Sequence, residues 1–219
     1  LVDFDGDGRL DLISGSNCCD PNGLIAFLRK QDGSWEPRRE IKVMLPGGAL
    51  PNFLMARSFV TAADWNGDGV PDLLWMRPKE IRVALGPITC EGPISLTHRL
   101  NIGYSLAHEL SGIADFAVAD WDHDGKLDVL VRARDVGERW EGWEITCYRN
   151  VGGPGLTRLA AGKSLLRVQS TGYADGFCVC DWNADGRPDL MVTRCERLPR
   201  TAEREDDEHR ESVLVYLRK

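Results

Sequence analysis

Four copies of one acidic frame constrain this chain more than any other feature. They read DFDGDGRLDLIS from Asp3, DWNGDGVPDLLW from Asp64, DWDHDGKLDVLV from Asp120 and DWNADGRPDLMV from Asp181, and their first aspartates lie 61, 56 and 61 residues apart. The shared pattern is Asp, aromatic, Asp or Asn, any residue, Asp, Gly, any residue, Leu or Pro, Asp, then Leu or Val. Crowding three or four carboxylates into nine positions costs several kcal/mol of mutual repulsion unless a cation offsets it. An internal period of this length indicates a repeat architecture in which each copy is one supersecondary unit.

Position by position the frame suits Ca²⁺, a hard cation that takes six to eight oxygen ligands. Side-chain oxygens fall at loop positions 1, 3, 5 and 9, a backbone carbonyl at position 7, and a glycine at position 6 supplies the sharp turn. The candidate ligands are therefore Asp3, Asp5, Asp7, the Arg9 carbonyl and Asp11 in the first copy, and Asp64, Asn66, Asp68, the Val70 carbonyl and Asp72 in the second. In the third they are Asp120, Asp122, Asp124, the Lys126 carbonyl and Asp128, and in the fourth Asp181, Asn183, Asp185, the Arg187 carbonyl and Asp189. This predicts about four calcium sites. No His or Cys occupies a ligand position, which argues against zinc or copper. His123 stands at the variable position 4 and is expected to face solvent.

The end of the frame separates it from an EF-hand, which needs an acidic ligand at position 12. Position 12 is Ser14, Trp75, Val131 or Val192. Instead the acid at position 9 runs directly into the apolar segments DLISGS, DLLWMR, DVLVRA and DLMVTR, so each loop opens into a strand. On these residues the repeats resemble the FG-GAP/VCBS family, the calcium-loop β-propeller blades of integrin α-subunit heads, some fungal lectins and many secreted bacterial proteins. LIAFLRKQDGSW and ITCYRNVGG resemble the third-strand segment of bacterial members. The resemblance implies an all-β fold of four-stranded antiparallel blades, four of them in this chain, belonging to a ring of about seven or eight.

Repeat length agrees with four short strands, A to D, per repeat. In the second copy these are expected at SFVTAAD, DLLWMR, IRVALG and ISLTHRL, with a short turn over Pro78, Lys79 and Glu80. In the third they are expected at DFAVAD, DVLVRA, WEITCYR and LTRLAAG. Repeat boundaries fall near 1–56, 57–113, 114–174 and 175–219, within a single propeller domain or fragment. YSLAHELSG could add a turn or two of helix. The aromatic at position 2 (Phe4, Trp65, Trp121, Trp182) reads as a packing residue between blades. Only the last two residues of a first strand A are present, and SVLVYLRK reads as strand C of the fourth repeat with no strand D after it. The expectation is a fragment of a longer protein or a ring completed by a second copy, with open edges prone to self-association.

The net charge of −7 belongs to the loops. They hold 14 of the 34 acidic residues, which leaves 20 acids against 27 bases elsewhere, and four Ca²⁺ would bring the total to +1. The acidity therefore gives no sign of a basic partner, and no basic stripe suggests nucleic acid. No stretch approaches the ~20 apolar residues of a membrane span. The seven cysteines (Cys18, Cys19, Cys90, Cys147, Cys178, Cys180, Cys195) do not follow the repeats. Cys178 and Cys180 share one face of a strand A as small hydrophobes, and a disulfide from Cys18 or Cys19 to another loop would fit their turn.

The four histidines are scattered, no nucleophile or zinc-protease motif occurs, and the paired carboxylates are committed to metal. The sequence therefore points to a non-catalytic calcium-binding module of a secreted or cell-surface protein that binds a protein or glycan ligand, as in adhesion. The alternative is the propeller of a calcium-dependent polysaccharide lyase. Strand direction places the calcium loops with the C–D turns at one end of each blade and the longer B–C and D–A loops at the other. Ligand candidates on those variable loops are Phe53, Arg57, Tyr104, His108, Arg139, Trp140 and Tyr173. The charge run 196–212 reads as a solvated loop between strands B and C of the fourth repeat.

Overall fold

The structure is a computed structural model that describes residues 1–15, 23–48, 59–77, 80–88, 92–100, 115–135, 142–153, 158–169, 176–198 and 209–218. Phe53, Arg57, Tyr104, His108, Arg139, Trp140, Tyr173, Cys18, Cys19 and Cys90 lie outside these residues, as do the segment YSLAHELSG and most of the charge run. Among the described residues all regular structure is β. Two compact units are formed, one by residues 1–105 with 150–160, the other by 106–149 with 161–219. Each holds two blades.

In the first unit, Val2 bridges Asp11 in the place of strand A, and β1 (Leu12–Gly15), β2 (Gly23–Phe27) and β3 (Arg39–Met44) follow as strands B, C and D. The second blade is β4 (Phe59–Ala63), β5 (Asp72–Arg77) and β6 (Glu80–Ala84), followed by β7 (Ile94–Ser95) and β8 (His98–Leu100). Neighbouring strands pair antiparallel except at one place, where ISLTHRL does not form a single strand D. β7 adds in parallel to the outer edge of β3, and only β8 pairs with β6. The segment thus ties the two blades together.

The second unit contains β9 (Asp115–Ala119), β10 (Asp128–Asp135), β11 (Gly142–Tyr148) and β12 (Lys163–Gln169) as one four-stranded sheet. β13 (Phe177–Cys180), β14 (Asp189–Arg197) and β15 (His209–Tyr216) form a three-stranded one. Strands A, B and C lie where the alternating apolar runs place them. Strand D of the third repeat does not: it is KSLLRVQ, immediately after the expected LTRLAAG. LTRLAAG contributes only the bridge of Leu159 to Asn150; Gly162 then passes close to Tyr148 and Thr146, where a Cβ would sit at 2.7 Å, and the ladder with β11 runs on from Lys163 with an irregularity between Ile145 and Thr146.

Each core lies between successive blades. In the first unit Ile13, Leu24, Ala26, Ile41 and Val43 of the first blade pack with Val60, Ala62, Leu73, Trp75 and Ala84 of the second. In the second unit Leu130, Trp143, Ile145, Cys147 and Val168 of the third blade pack with Phe177, Val179, Leu190, Val192 and Leu214 of the fourth. Fully burying each such large side chain stabilises by roughly 1.5–3 kcal/mol relative to exposure, so the sheets are held face to face by the apolar alternation that identified them.

Candidate metal centres

All four acidic frames fold into the same loop, and the loop is wired by its own side chains. The position 1 carboxylate is the hub. Asp3 Oδ1 accepts from the N–H groups of Gly6 (2.9 Å) and Asp7 (3.0 Å), and its Oδ2 from Gly8 (2.9 Å). Asp64 does the same with Gly67, Asp68 and Gly69 at 2.8, 3.0 and 2.9 Å. Asp120 holds Asp124 and Gly125, and Asp181 holds Asp185 and Gly186. The position 5 carboxylate then accepts the N–H of position 7, which fixes Arg9, Val70, Lys126 and Arg187 at 2.8–3.0 Å. This turn needs left-handed backbone twice. Position 6 is glycine throughout (φ 83–85°), and position 4 is also left-handed, at Gly6, Gly67, His123 and Ala184 (φ 78, 77, 60 and 57°).

Position 9 has a structural role that the ligand pattern alone does not reveal. Asp11, Asp72, Asp128 and Asp189 are all fully buried. In each, Oδ2 accepts the N–H of the position 2 aromatic, Phe4, Trp65, Trp121 or Trp182, at 2.9–3.1 Å. Oδ1 of Asp11, Asp72 and Asp189 accepts at 2.7 Å from the backbone N–H just after strand C, that of Arg29, Gly86 and Arg218. The carboxylate staples the A–B loop to the start of the C–D turn, so these two connections share one end of the blade, as strand direction requires. A carboxylate offers about four lone-pair sites, so the staple leaves capacity for a cation.

Position 3 divides the loops into two pairs. One carboxylate oxygen each from Asp3, Asp5 and Asp11, and from Asp120, Asp122 and Asp124, lie within 4.8 Å of one another. In the second and fourth loops Asn66 and Asn183 accept the position 5 N–H through Oδ1. That turns Nδ2 toward the position 5 carboxylate, and it donates to Asp68 at 2.8 Å and to Asp185 at 3.0 Å. The electrostatics follow. Desolvation, reinforced by the charges of Asp11, Asp7 and Asp3, raises the Asp5 carboxyl above its ordinary pKa against a backbone hydrogen bond from Asp7. The Asn183 amide, with the Arg187 N–H, holds Asp185 below it. Asp124 is also lowered, first by hydrogen bonding from the Lys126 side chain.

Cations of the chain itself reach the carboxylates of the first and third loops. The Arg9 guanidinium pairs with Asp7, Lys126 Nζ lies 3.1 Å from Asp124 Oδ2, and Arg149 pairs with Asp122 Oδ2. Asp122 Oδ1 is buried without a hydrogen-bond partner among the described residues. Oxygen donors alone, a converging carboxylate trio and an unsatisfied buried oxygen fit a hard divalent cation. The residues placed to hold it are Asp3, Asp5 and Asp11 with Asp7, and Asp120, Asp122 and Asp124. Bound there, the ion would neutralise the crowded charge and lock the rim.

Sequence reasoning missed the arginines that follow strand C, although a signal was present. AFLR, TCYR and VYLR end in Arg29, Arg149 and Arg218, and only VALG departs from that pattern. Arg218 stacks on Trp121 at 5.0 Å from the ring centroid, and Arg29 on Trp35 at 5.9 Å. Phe4 and Trp65 are buried, and Trp121 packs with the core of its unit, as expected of inter-blade residues, whereas Trp182 is 59% exposed. Cys147 and Cys195 are buried and reduced, with burial followed by the charge of Asp128 pushing the Cys147 thiol up to about 12, where it has no nucleophilic role at neutral pH. Cys178 and Cys180 are free and share a face of β13.

Residues 3–75, from the first acidic frame through strand B of the second blade, match the family described as FG-GAP-like repeat. That segment is similar to FG-GAP repeats, and the described residues form four small sheets, one for each acidic frame. No curated protein matches the chain. The later frames, at Asp120 and Asp181, carry the same turn, the position 1 bonds to positions 5 and 6, and the position 9 bond to the position 2 N–H as the two in the matched segment.

Proposed function

We propose that this chain is a calcium-binding, non-catalytic propeller module of a secreted or cell-surface protein, whose rigid calcium rim supports ligand-binding loops at the opposite end of each blade. The observation that carries the reading is the convergence of three carboxylates in the first and third loops on a backbone already shaped by its own hydrogen bonds. Such preorganisation lowers the ordering cost of binding an ion. The first and third loops are the tighter sites. The second and fourth offer one charge fewer and an amide that already solvates position 5. The ligand is a protein or a glycan, taken by the variable B–C and D–A loops that carry Trp140, Arg139, Tyr104, His108, Phe53, Arg57 and Tyr173.

The decisive measurement is thermal unfolding in excess chelator and in millimolar CaCl₂. An ion that binds only the folded state stabilises it by mass action, about 2.7 kcal/mol at a hundredfold excess over Kd, so the melting temperature rises by several degrees. An unchanged melting temperature removes the calcium reading. For the ligand, array screening followed by Trp140→Ala and Lys126→Ala locates the face. Binding lost in the first and kept in the second is expected, and the reverse result would put the ligand on the calcium rim.

A further inference from the structure

The first and third loops each bring three carboxylates together, but they differ in where the chain's own cations sit. In the first loop Arg9 pairs with Asp7, outside the trio of Asp3, Asp5 and Asp11, and its Nε donates to the Arg29 carbonyl at 2.8 Å. Asp3, Asp5 and Asp11 form no ion pair among the described residues. In the third loop Lys126 Nζ lies 3.1 Å from Asp124 Oδ2, and the Arg149 guanidinium pairs with Asp122 Oδ2. Two of its three converging carboxylates therefore carry a counter-charge. The charge of Arg149 bears on Asp124 as well.

These two cations come from different elements. Lys126 is the position 7 residue of the loop itself, whereas Arg149 is the first residue after β11. The residues in the same place after the other strands C are engaged elsewhere: Arg29 lies on Trp35, Arg218 lies on Trp121, and the second blade has Gly86 there. Of this series, Arg149 alone is paired with a ligand carboxylate of its own loop. Asp122 divides its oxygens accordingly, with Oδ2 on the guanidinium and Oδ1 buried without a hydrogen-bond partner among the described residues.

We infer that Arg149 sets the affinity of the third calcium site: together with Lys126 it shares the ligand carboxylates with the ion and makes this site weaker than the first. The inference rests on the calcium reading above. A guanidinium keeps its proton at any physiological pH, so the opposing charge is a permanent feature of the third loop. Asp120, Asp122 and Asp124 would hold a divalent ion close to both cations, and like charges at short range raise the free energy of the bound state. The side chains of Arg149 and Lys126 are 52% and 38% exposed, so solvent screening limits the effect of each to a few-fold. The first loop then fills at lower calcium than the third.

Calcium titration of the full chain, followed at the amide resonances of Gly8 and Gly125, reads the first and third loops separately. Wild type is expected to saturate at Gly8 before Gly125. Arg149→Gln removes the charge, and calcium is expected to bind about two- to fivefold more tightly at Gly125, with Gly8 unmoved. Arg149→Lys keeps the charge and should stay near wild type. Retention of the wild-type circular dichroism spectrum shows that each variant folds. Gly125 saturating first in wild type, or an unchanged affinity there in Arg149→Gln, would overturn the inference. A weaker affinity in Arg149→Gln would overturn it too and make Arg149 the residue that holds Asp122 in place for the ion. If calcium moves neither glycine in any variant, the calcium reading fails with it, whereas a normal response at Gly8 confines the failure to Arg149.

Discussion

The first and third loops differ from the second and fourth at a single ligand position. The hub, the turn and the position 9 bond to the position 2 N–H are common to all four, so position 3 acts on a shared frame. Aspartate there completes a trio of converging charges and raises its own carboxyl in the first loop, while asparagine turns its amide toward position 5 and, in the fourth loop, lowers the carboxyl it meets. An asparagine loop carries part of its counter-charge internally, and an aspartate loop leaves it to an ion or to a neighbouring Arg or Lys. The same fold thereby offers two grades of site, and the difference can be attacked residue by residue.

The largest effect should fall on what the pairs share. Replacing Asp11 with alanine strips the N–H groups of Phe4 and Arg29 of this acceptor, replacing Asp72 does so to Trp65, Asn66 and Gly86, and each orphaned buried donor costs ~1–3 kcal/mol. Urea unfolding in excess chelator should therefore show a loss of about 3 kcal/mol for either variant, independent of calcium. Equal costs in a first-pair and a second-pair loop would leave position 3 as the point of difference. A markedly smaller cost at Asp72 would place the difference in the frame itself.

This staple also shows how far the sequence could be read. Strands A to C and the four loops were legible because alternation and the acidic frame are local signals that recur in register. The partners of position 9 were not, since Arg29, Gly86 and Arg218 lie 18, 14 and 29 residues away and the spacing changes with the length of the B–C loop. Strand D failed for a similar reason. LTRLAAG and KSLLRVQ both read as strands by composition, but the first gives only the bridge of Leu159 to Asn150 while the second forms the ladder with β11, a pairing that depends on distant residues. The division of ISLTHRL between two sheets likewise depends on the position of β3. Seven ligand candidates on the variable loops lie outside the described residues, and they remain a proposal.

The next effect is on affinity and should run in opposite directions in the two pairs. Asn66→Asp adds a ligand charge and removes the Nδ2 donor to Asp68, so calcium should bind the second loop about tenfold more tightly, ~1.4 kcal/mol, while the metal-free protein loses stability through repulsion. Asp122→Asn should weaken the third loop by a similar factor. Site-resolved titration, followed by amide shifts of Gly69 and Gly125, separates the two. Affinity unchanged in both variants would mean that position 3 is not a ligand.

The smallest effect cuts across the pairing, because position 4 groups the first loop with the second and the third with the fourth. All four residues there are left-handed, but only Gly6 and Gly67 adopt that conformation without steric cost. For an L-residue the cost is ~1–2 kcal/mol, and glycine returns ~0.5–1 kcal/mol of it through its larger loss of chain entropy on folding. Ala184→Gly should accordingly stabilise the protein by about 0.5 kcal/mol, and Gly67→Ala should destabilise it by the same amount, although no atom lies within 4 Å of the added Cβ. Alanine is the better probe than His123, whose charge bears on Asp185 across the blades and would confound the comparison. Paired chemical denaturation of the two variants, with and without calcium, gives the sign. If Ala184→Gly destabilised in chelator but not in calcium, the left-handed turn at position 4 would be a conformation imposed by the ion rather than by the hub carboxylate at position 1.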